Sequence, residues 1–322
     1  MTCVPLARQP GRRYKRSMPD ASAFPVDHAY RTQRIALIAL LVGALGIAFA
    51  PIFVRLSEVG PVATGFWRTA LAMPALGLWM AAESRQRSGR SSRRPSSVSD
   101  YARLSLAGLF FAGDLAIWHT SIRYTSVANS TLLANFAPLY VAPAAWFLFK
   151  ERITRRFVMG MLLALAGAIV LMGESFQLDA DHLFGDGLAL LTAAFYAGYI
   201  LSVGRLRAEF STATIMTWSG AISALVLLPI GLYDGEAMLP ASVSGWAVLA
   251  GLALFSHACG QSLIAYALAH LPASFSSVSL LLQPAAAAIL AWILLSEPLG
   301  PLQALGAAVI LVGILLARPG GR

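Results

Sequence analysis

The chain has 322 residues, 57% of them hydrophobic and only 12% charged, with a net charge of +9 and a mean hydropathy of +0.68. A soluble domain carries about 25% charged residues, so this composition excludes a soluble globular protein and makes a lipid bilayer the natural solvent. Two cysteines, Cys3 and Cys259, exclude a disulfide framework and a cysteine metal site.

The first 34 residues are polar, basic and contain proline, which predicts a disordered cytoplasmic tail. They lack the short apolar core of a secretory signal, and Met18 offers a second start. A helix needs about 20 apolar residues to cross the hydrocarbon layer. Ten stretches meet that need: 35–54, 62–82, 104–122, 127–149, 157–173, 187–203, 213–233, 246–268, 273–295 and 301–317. The expected fold class is an all-α polytopic membrane protein with ten transmembrane helices. Residues 84–100, SRQRSGRSSRRPSSVSD, read as a flexible basic loop.

Lysine and arginine placement sets the orientation. With the N-terminus inside, the cytoplasmic segments hold the basic tail, Arg85 through Arg103, Lys150, Arg152, Arg155, Arg156, Arg205, Arg207 and Arg318. The outer loops hold only Arg55 and Arg123, and one of them carries Glu174, Asp179, Asp181 and Asp186. Both termini are therefore expected in the cytoplasm. The positive charge is a topology signal, which excludes nucleic acid as a partner. Orientation also accounts for the 85–94 run better than contact with anionic lipid does.

The segments 137–171 and 283–317 align at an offset of 146 residues with nine of 35 positions identical. The shared frame includes Pro138/Pro284, Trp146/Trp292, Glu151/Glu297, Gly160/Gly306 and Gly167/Gly313. The repeat is five spans long, and five is odd, so the second copy would enter the membrane upside down. The expected domains are the tail 1–34, a first five-helix repeat 35–173 and a second 187–317, an inverted-topology arrangement suited to opening alternately to either side.

These tandem helix pairs, with FWRTALAMP in span two and GDLAIWHTSIRYTSVANSTLLANFAPLYV across spans three and four, resemble the EamA-type members of the drug/metabolite transporter superfamily. The resemblance covers the chain from about residue 35. It implies a ten-helix inner-membrane carrier with a central cavity lined by spans 1, 3, 4, 6, 8 and 9, and export of amino acids or other metabolites.

Ionisable groups in hydrocarbon are expensive and mark function by default. Asp114 falls roughly 15 Å into span three at 1.5 Å per residue, near the midplane, with His257 and Gln283 at similar depth and Tyr196 slightly shallower. Asp114 either titrates or pairs with a substrate amine, or else it locks helices by pairing with Arg68. Trp118 shares its face one turn on, whereas His119 points about 100° away. On span four Asn135 and Tyr140 are ligand candidates, and Asn129 and Ser130 read as helix-to-helix hydrogen bonders. Tyr196 and Tyr199 share a face of span six, and His257 and Gln261 a face of span eight. Pro138, Pro143 and Pro284 should kink spans four and nine. The paired glycines permit close packing, and Glu151 and Glu297 at the turns position the following helix.

Ser219 and His257 are the only pair with the makings of a hydrolase, but Thr217 stands where an intramembrane serine protease has glycine. No P-loop is present, so an ATP-driven pump is not expected. The expected function is a secondary transporter of a small-molecule substrate, amino acids first, without a cofactor or a metal. Protons are the expected coupling ion. The alternatives are a passive facilitator or uniporter, and an importer of a vitamin- or nucleoside-like compound. Oligomeric state is left open.

Overall fold

The computed structural model describes residues 25–85, 92–172, 182–233, 235, 237–296 and 299–319. Among these, every regular element is helical. The first stretch is α1 (Pro25–Ala48) followed, past Phe49, by α2 (Ala50–Arg55); the second is α3 (Pro61–Ala70) and α4 (Met73–Arg85). Next come α5 (Val98–Ser121), the pair α6 (Val127–Ala134) and α7 (Ala137–Phe149), α8 (Arg155–Met172), α9 (Leu183–Leu206) and α10 (Thr212–Tyr233). Span eight is α11 (Val243–Gly251), a π-helical segment (Leu252–Gln261) and α12 (Ser262–Ala267). The last stretches are α13 (Ala273–Ser279) with α14 (Leu282–Leu295), and α15 (Pro301–Ala317).

Each of the ten apolar windows thus falls on a helix or on helical pieces separated by one or two residues. Seven stretches are long and apolar enough to cross a membrane, and Pro301–Ala317 is a shorter apolar helix. The windows 62–82 and 104–122 are not among the seven. The first carries Arg68 with Trp67 and Trp79, and the second carries Asp114 and His119, in their apolar runs.

Several features recur at the 146-residue offset. Both Lys150, after α7, and Ser296, after α14, adopt the left-handed conformation with φ of 56°, the only described non-glycine residues with positive φ. The amide N–H of each donates back, to Ala145 and Ala291 respectively. The interruption between α6 and α7 falls within one residue of the position that corresponds to the one between α13 and α14, with Pro138 or Pro284 just beyond it.

α8 and α15 pack antiparallel along a glycine seam. A Cβ on Gly167 would lie 2.7 Å from Ile310 N and 2.9 Å from Gly306 O. One on Gly313 would lie 2.5 Å from Ala164 N and 2.7 Å from Gly160 O. Only hydrogen in place of a side chain lets the two backbones approach this closely, which is how small residues draw helices together without a hydrophobic driving force. The glycines do the packing expected of them. Glu151 caps α13: its carboxylate accepts from Ala273 N at 2.7 Å, Ser274 N at 3.1 Å and Ser274 Oγ at 2.5 Å. Glu297 lies outside the described residues.

Candidate functional site

The centre of the bundle encloses a cavity of about 170 Å³. It is bounded by the α1–α2 break, α3, α5, the α6–α7 break, α9, the π segment and α14. Broken helices expose backbone and turn polar side chains inward, which is where carriers place their sites. Of the sequence-predicted residues, Arg68, Asp114, Trp118, Asn135, Tyr196, Gln261, Gln283 and Pro284 line this space.

The polar groups divide by chemistry. Arg68 is 9% exposed, its Nε has no hydrogen-bond partner, and its guanidinium carbon lies 5.7 Å from the Phe111 ring centroid. No ion pair joins Arg68 to Asp114 among the described residues. The two charges are held in one cavity without being closed on each other. Gln261 and Gln283 each present an unpartnered Nε2. These three side chains are hydrogen-bond donors.

The acceptors share the cavity with them. Asn135 donates its Nδ2 to Thr131 O at 2.7 Å, which leaves Oδ1 as an acceptor. His119 contacts Leu115 O through Nδ1 at 2.7 Å. A carbonyl only accepts, so Nδ1 carries the hydrogen, and Nε2, which has no partner, is a bare acceptor in the neutral ring. With Asp114 this gives acceptors from α5 and from the cap of α6, in the same cavity as donors from α3, the π segment and α14. Apolar contact comes from Phe111, Leu115, Trp118 and Leu252.

His119 was placed off the site by helical-wheel reasoning, yet it lines the cavity at 2% exposure. Thr64, Thr131 and Thr192 also line it. The signal for His119 was its being ionisable within an apolar span. The face argument failed because the cavity wraps more than one face of α5.

Three predicted residues lie elsewhere. Tyr140 is 39% exposed on the outside of α7. It falls beyond the α6–α7 break, which separates it from Asn135 in the cavity. Tyr199 is 1% exposed behind Tyr196, with rings stacked 6.2 Å apart, and its hydroxyl faces Met216 Sδ at 3.5 Å. His257 is 1% exposed and stacks on Phe111 at 5.2 Å rather than lining the cavity. Gln261, at the end of the π segment, lines the cavity instead. Pro138 is buried in α7. Ser219 donates to Ile215 O at 2.7 Å and makes no hydrogen bond to His257, whose ring nitrogens are both unpartnered. The hydrolase geometry is not assembled. Asn129 and Ser130 join helices as expected: Asn129 donates to Asp186 at 3.3 Å, and Ser130 Oγ lies 2.5 Å from Ser121 Oγ.

The cavity leads into a second space of about 520 Å³ that shares Pro51, Val54, Trp118, His119, Thr131 and Ala287 and reaches Arg55, Pro61 and Ile122. At this end Glu58 accepts from Ala241 N at 2.9 Å, Ser242 N at 3.0 Å and the Ser242 hydroxyl. These bonds hold its carboxyl below the usual range, the Ser242 hydroxyl contributing most. The opposite end of α5 is fastened by charge. Arg93 and Arg103 each bridge Asp100 and Glu209 at 2.5–2.6 Å. The Arg103 and Arg93 hydrogen bonds lower Glu209 to about 2, and Arg93 above all holds Asp100 well below the usual carboxylate range. Arg93 and Arg103 lie over the buried Phe210 ring at 4.6 and 5.9 Å. Arg93 of the basic loop and Arg103 of α5 are thus structural.

The EamA-like transporter family model matches the chain twice, over residues 34–173 and 183–318. An uncharacterized transporter of Archaeoglobus fulgidus is 25% identical over 293 residues, covering 89% of this chain and 96% of that one. The threonine/homoserine exporter RhtA of Escherichia coli K12 is 34% identical over 189 residues, 58% of this chain and 63% of its own length. A solved crystal structure superposes with a TM-score of 0.72 at 20% identity, covering 89% of this chain and 96% of that one. That likeness concerns the fold.

Proposed function

Because the chain belongs to the EamA-like transporter family of multi-pass membrane proteins, we propose that it is a secondary transporter that exports amino acids or related small metabolites across the inner membrane by alternating access. Its ten helical stretches form two five-helix repeats of opposite orientation, with both termini in the cytoplasm. The recurrence of breaks, left-handed caps and a reciprocal glycine seam at one offset supports the repeat. The density of arginine at one end supports the orientation.

The observation that carries the substrate reading is that unpartnered donors and acceptors line one cavity. Arg68, Gln261 and Gln283 offer unpartnered donors, and Asp114, His119 and Asn135 offer acceptors, in about 170 Å³. A small zwitterion satisfies both sets: its carboxylate meets Arg68 and its ammonium meets Asp114. An arginine fork suits a carboxylate. RhtA, named for threonine and homoserine export, points the same way. Asp114 is the coupling group, alternating between the ammonium or a proton in one state and solvent in the other.

The test compares metabolites inside and outside cells expressing wild type or Asp114→Asn at equal membrane abundance. An amino acid that appears outside only with wild type is the expected result. Equal export by both forms would refute the role of Asp114, and accumulation inside only with wild type would reverse the direction. Saturable counter-transport in vesicles separates the carrier from a passive facilitator.

A further inference from the structure

A second crevice lies at the end of the bundle from which α1 starts and at which α15 stops. It measures about 500 Å³. Arg34 of α1, Arg156 of α8, Arg318 just after α15 and His270 between α12 and α13 all line it. No aspartate or glutamate is in its lining, and none of the three arginines has a carboxylate partner among the described residues. Glu151 at the neighbouring turn has both carboxylate oxygens engaged by Ala273 and Ser274. Membrane orientation explains why arginines collect at this end. It does not explain why three of them, from helices far apart in the sequence, share one crevice uncompensated.

We propose that this crevice binds the phosphate of an anionic phospholipid headgroup. Each guanidinium presents a planar fork that pairs bidentately with phosphate oxygens, and basic pockets between membrane helices on the cytoplasmic side suit such headgroups. The depth fits as well. Arg34 and Ile38 share a face of α1, as Arg156 and Met159 share a face of α8, because residues three and four apart are neighbours on a helix. Ile38 is 61% and Met159 62% exposed, so the guanidinia stand one turn from side chains that meet acyl chains. Leu37 and Phe275 form the crevice wall and offer the lipid an apolar seat. Free phosphate would use the same forks but gain nothing from that wall. The counterpart positions in the second repeat break the pattern: at the 146-residue offset Arg156 corresponds to Leu302 and His270 to Tyr124. The site therefore exists at one end only, and the topology proposed above decides only which leaflet supplies the lipid.

Native mass spectrometry of the full-length protein in detergent, offered equal phosphatidylglycerol and phosphatidylcholine, tests the assignment. Wild type should retain phosphatidylglycerol preferentially. Replacing arginine by glutamine should weaken retention about fivefold per residue, and Arg34→Gln/Arg156→Gln/Arg318→Gln should abolish the preference. Arg34→Lys/Arg156→Lys/Arg318→Lys keeps the charge, loses the forks and should fall between. Arg85→Gln, an exposed arginine outside the crevice, should match wild type. No preference in wild type, or an equal loss in Arg85→Gln, would overturn the site. Inorganic phosphate that displaces phosphatidylglycerol at equal concentration would overturn the lipid assignment. Circular dichroism of each variant shows that the fold is intact, and the lysine variant still decides the question if the glutamine variant misfolds.

Discussion

Gly167→Ala puts one methyl group into the α8–α15 seam. The new carbon would sit 2.7 Å from Ile310 N and 2.9 Å from Gly306 O, both backbone atoms. Neither can rotate away, so the helices must separate by roughly 0.5–1 Å. A gap of that size forfeits a quarter to a half of each dispersion well, and wells are worth about 0.1–0.2 kcal/mol. With on the order of 40 atom pairs per turn of contact, the loss is about 1–3 kcal/mol, in the range measured for overpacked cores. Gly313→Ala, with contacts at 2.5 Å and 2.7 Å, should cost at least as much. Gly77→Ala is the control, because nothing lies within 4 Å of its added carbon. Thermal unfolding in detergent, read by size-exclusion fluorescence, should lower the midpoint for the seam variants and leave Gly77→Ala at wild type or slightly above. The folded fraction should transport with unchanged KM, since the seam lies apart from the cavity lining. Equal midpoints for Gly167→Ala and Gly77→Ala would refute the packing argument, and a changed KM would refute the separation of packing from binding.

Removing the α13 cap by Glu151→Ala should cost about 1–2 kcal/mol of stability, because three donors lose a charged acceptor; an unchanged unfolding midpoint would mean that water satisfies them. His119→Phe should weaken substrate binding by about 1–3 kcal/mol, about 5- to 150-fold in apparent affinity, at constant membrane abundance, whereas Tyr140→Phe on the outer face of α7 should transport as wild type does. Glu209 is lowered from 4.5 to about 2 by Arg103 and Arg93, so its contribution to stability is fully present above pH 4.5 and is lost as pH falls through about 2. Acid unfolding of wild type should therefore steepen between those values, and Glu209→Gln should flatten that limb without altering stability's pH dependence between pH 6 and 8.

The helices were legible because apolar run length is a strong signal in a membrane chain. Their interruptions were not. Leu71 and Ala72 carry no mark of the break between α3 and α4, and nothing in LALFSHACGQ announces a π segment. Those irregularities decided the site. A helical wheel tells which residues share a face but not how wide a face the cavity covers, so His119 was set aside while it lines the space. The wheel also put His257 and Gln261 on one face, yet His257 stacks on Phe111 while Gln261 lines the cavity. Tyr196 and Tyr199 sit close enough on α9 for their rings to stack, and that small angular difference separates the cavity wall from the core. Intramembrane charge proved the more reliable guide, because Arg68 and Asp114 both reach the cavity.

The proposed repeat recurs in backbone at spans four and nine and along the α8–α15 seam, but the cavity chemistry does not recur, and that asymmetry has a mechanical consequence. At the 146-residue offset Arg68 corresponds to Thr214, Asp114 to Gly260 and His119 to Ala265. Conversely, Gln261 corresponds to Leu115 and Gln283 to Ala137. The first copy supplies the charges and the second supplies the unpartnered amide donors. A scaffold with an internal two-fold axis passes between two related states, and with symmetric side chains it would hold a ligand equally well in both. Charges confined to one copy make the two states unequal for a dipolar ligand, since a ligand shifts an equilibrium only by its differential affinity for the two states. The loop contacts are unequal in the same sense. Glu58 fastens one end through backbone amides and a hydroxyl, while Glu209 and Asp100 fasten the other through two arginines. Screening by salt weakens the second latch and spares the first. Raising ionic strength in vesicle assays should therefore favour opening at the arginine-latched end, and Arg93→Gln should reproduce the effect at low salt. Accessibility of single cysteines placed on either side of the cavity reads the shift. Equal labelling of the two sides at low and high salt would show that the ion cluster holds the loops without governing which way the carrier opens.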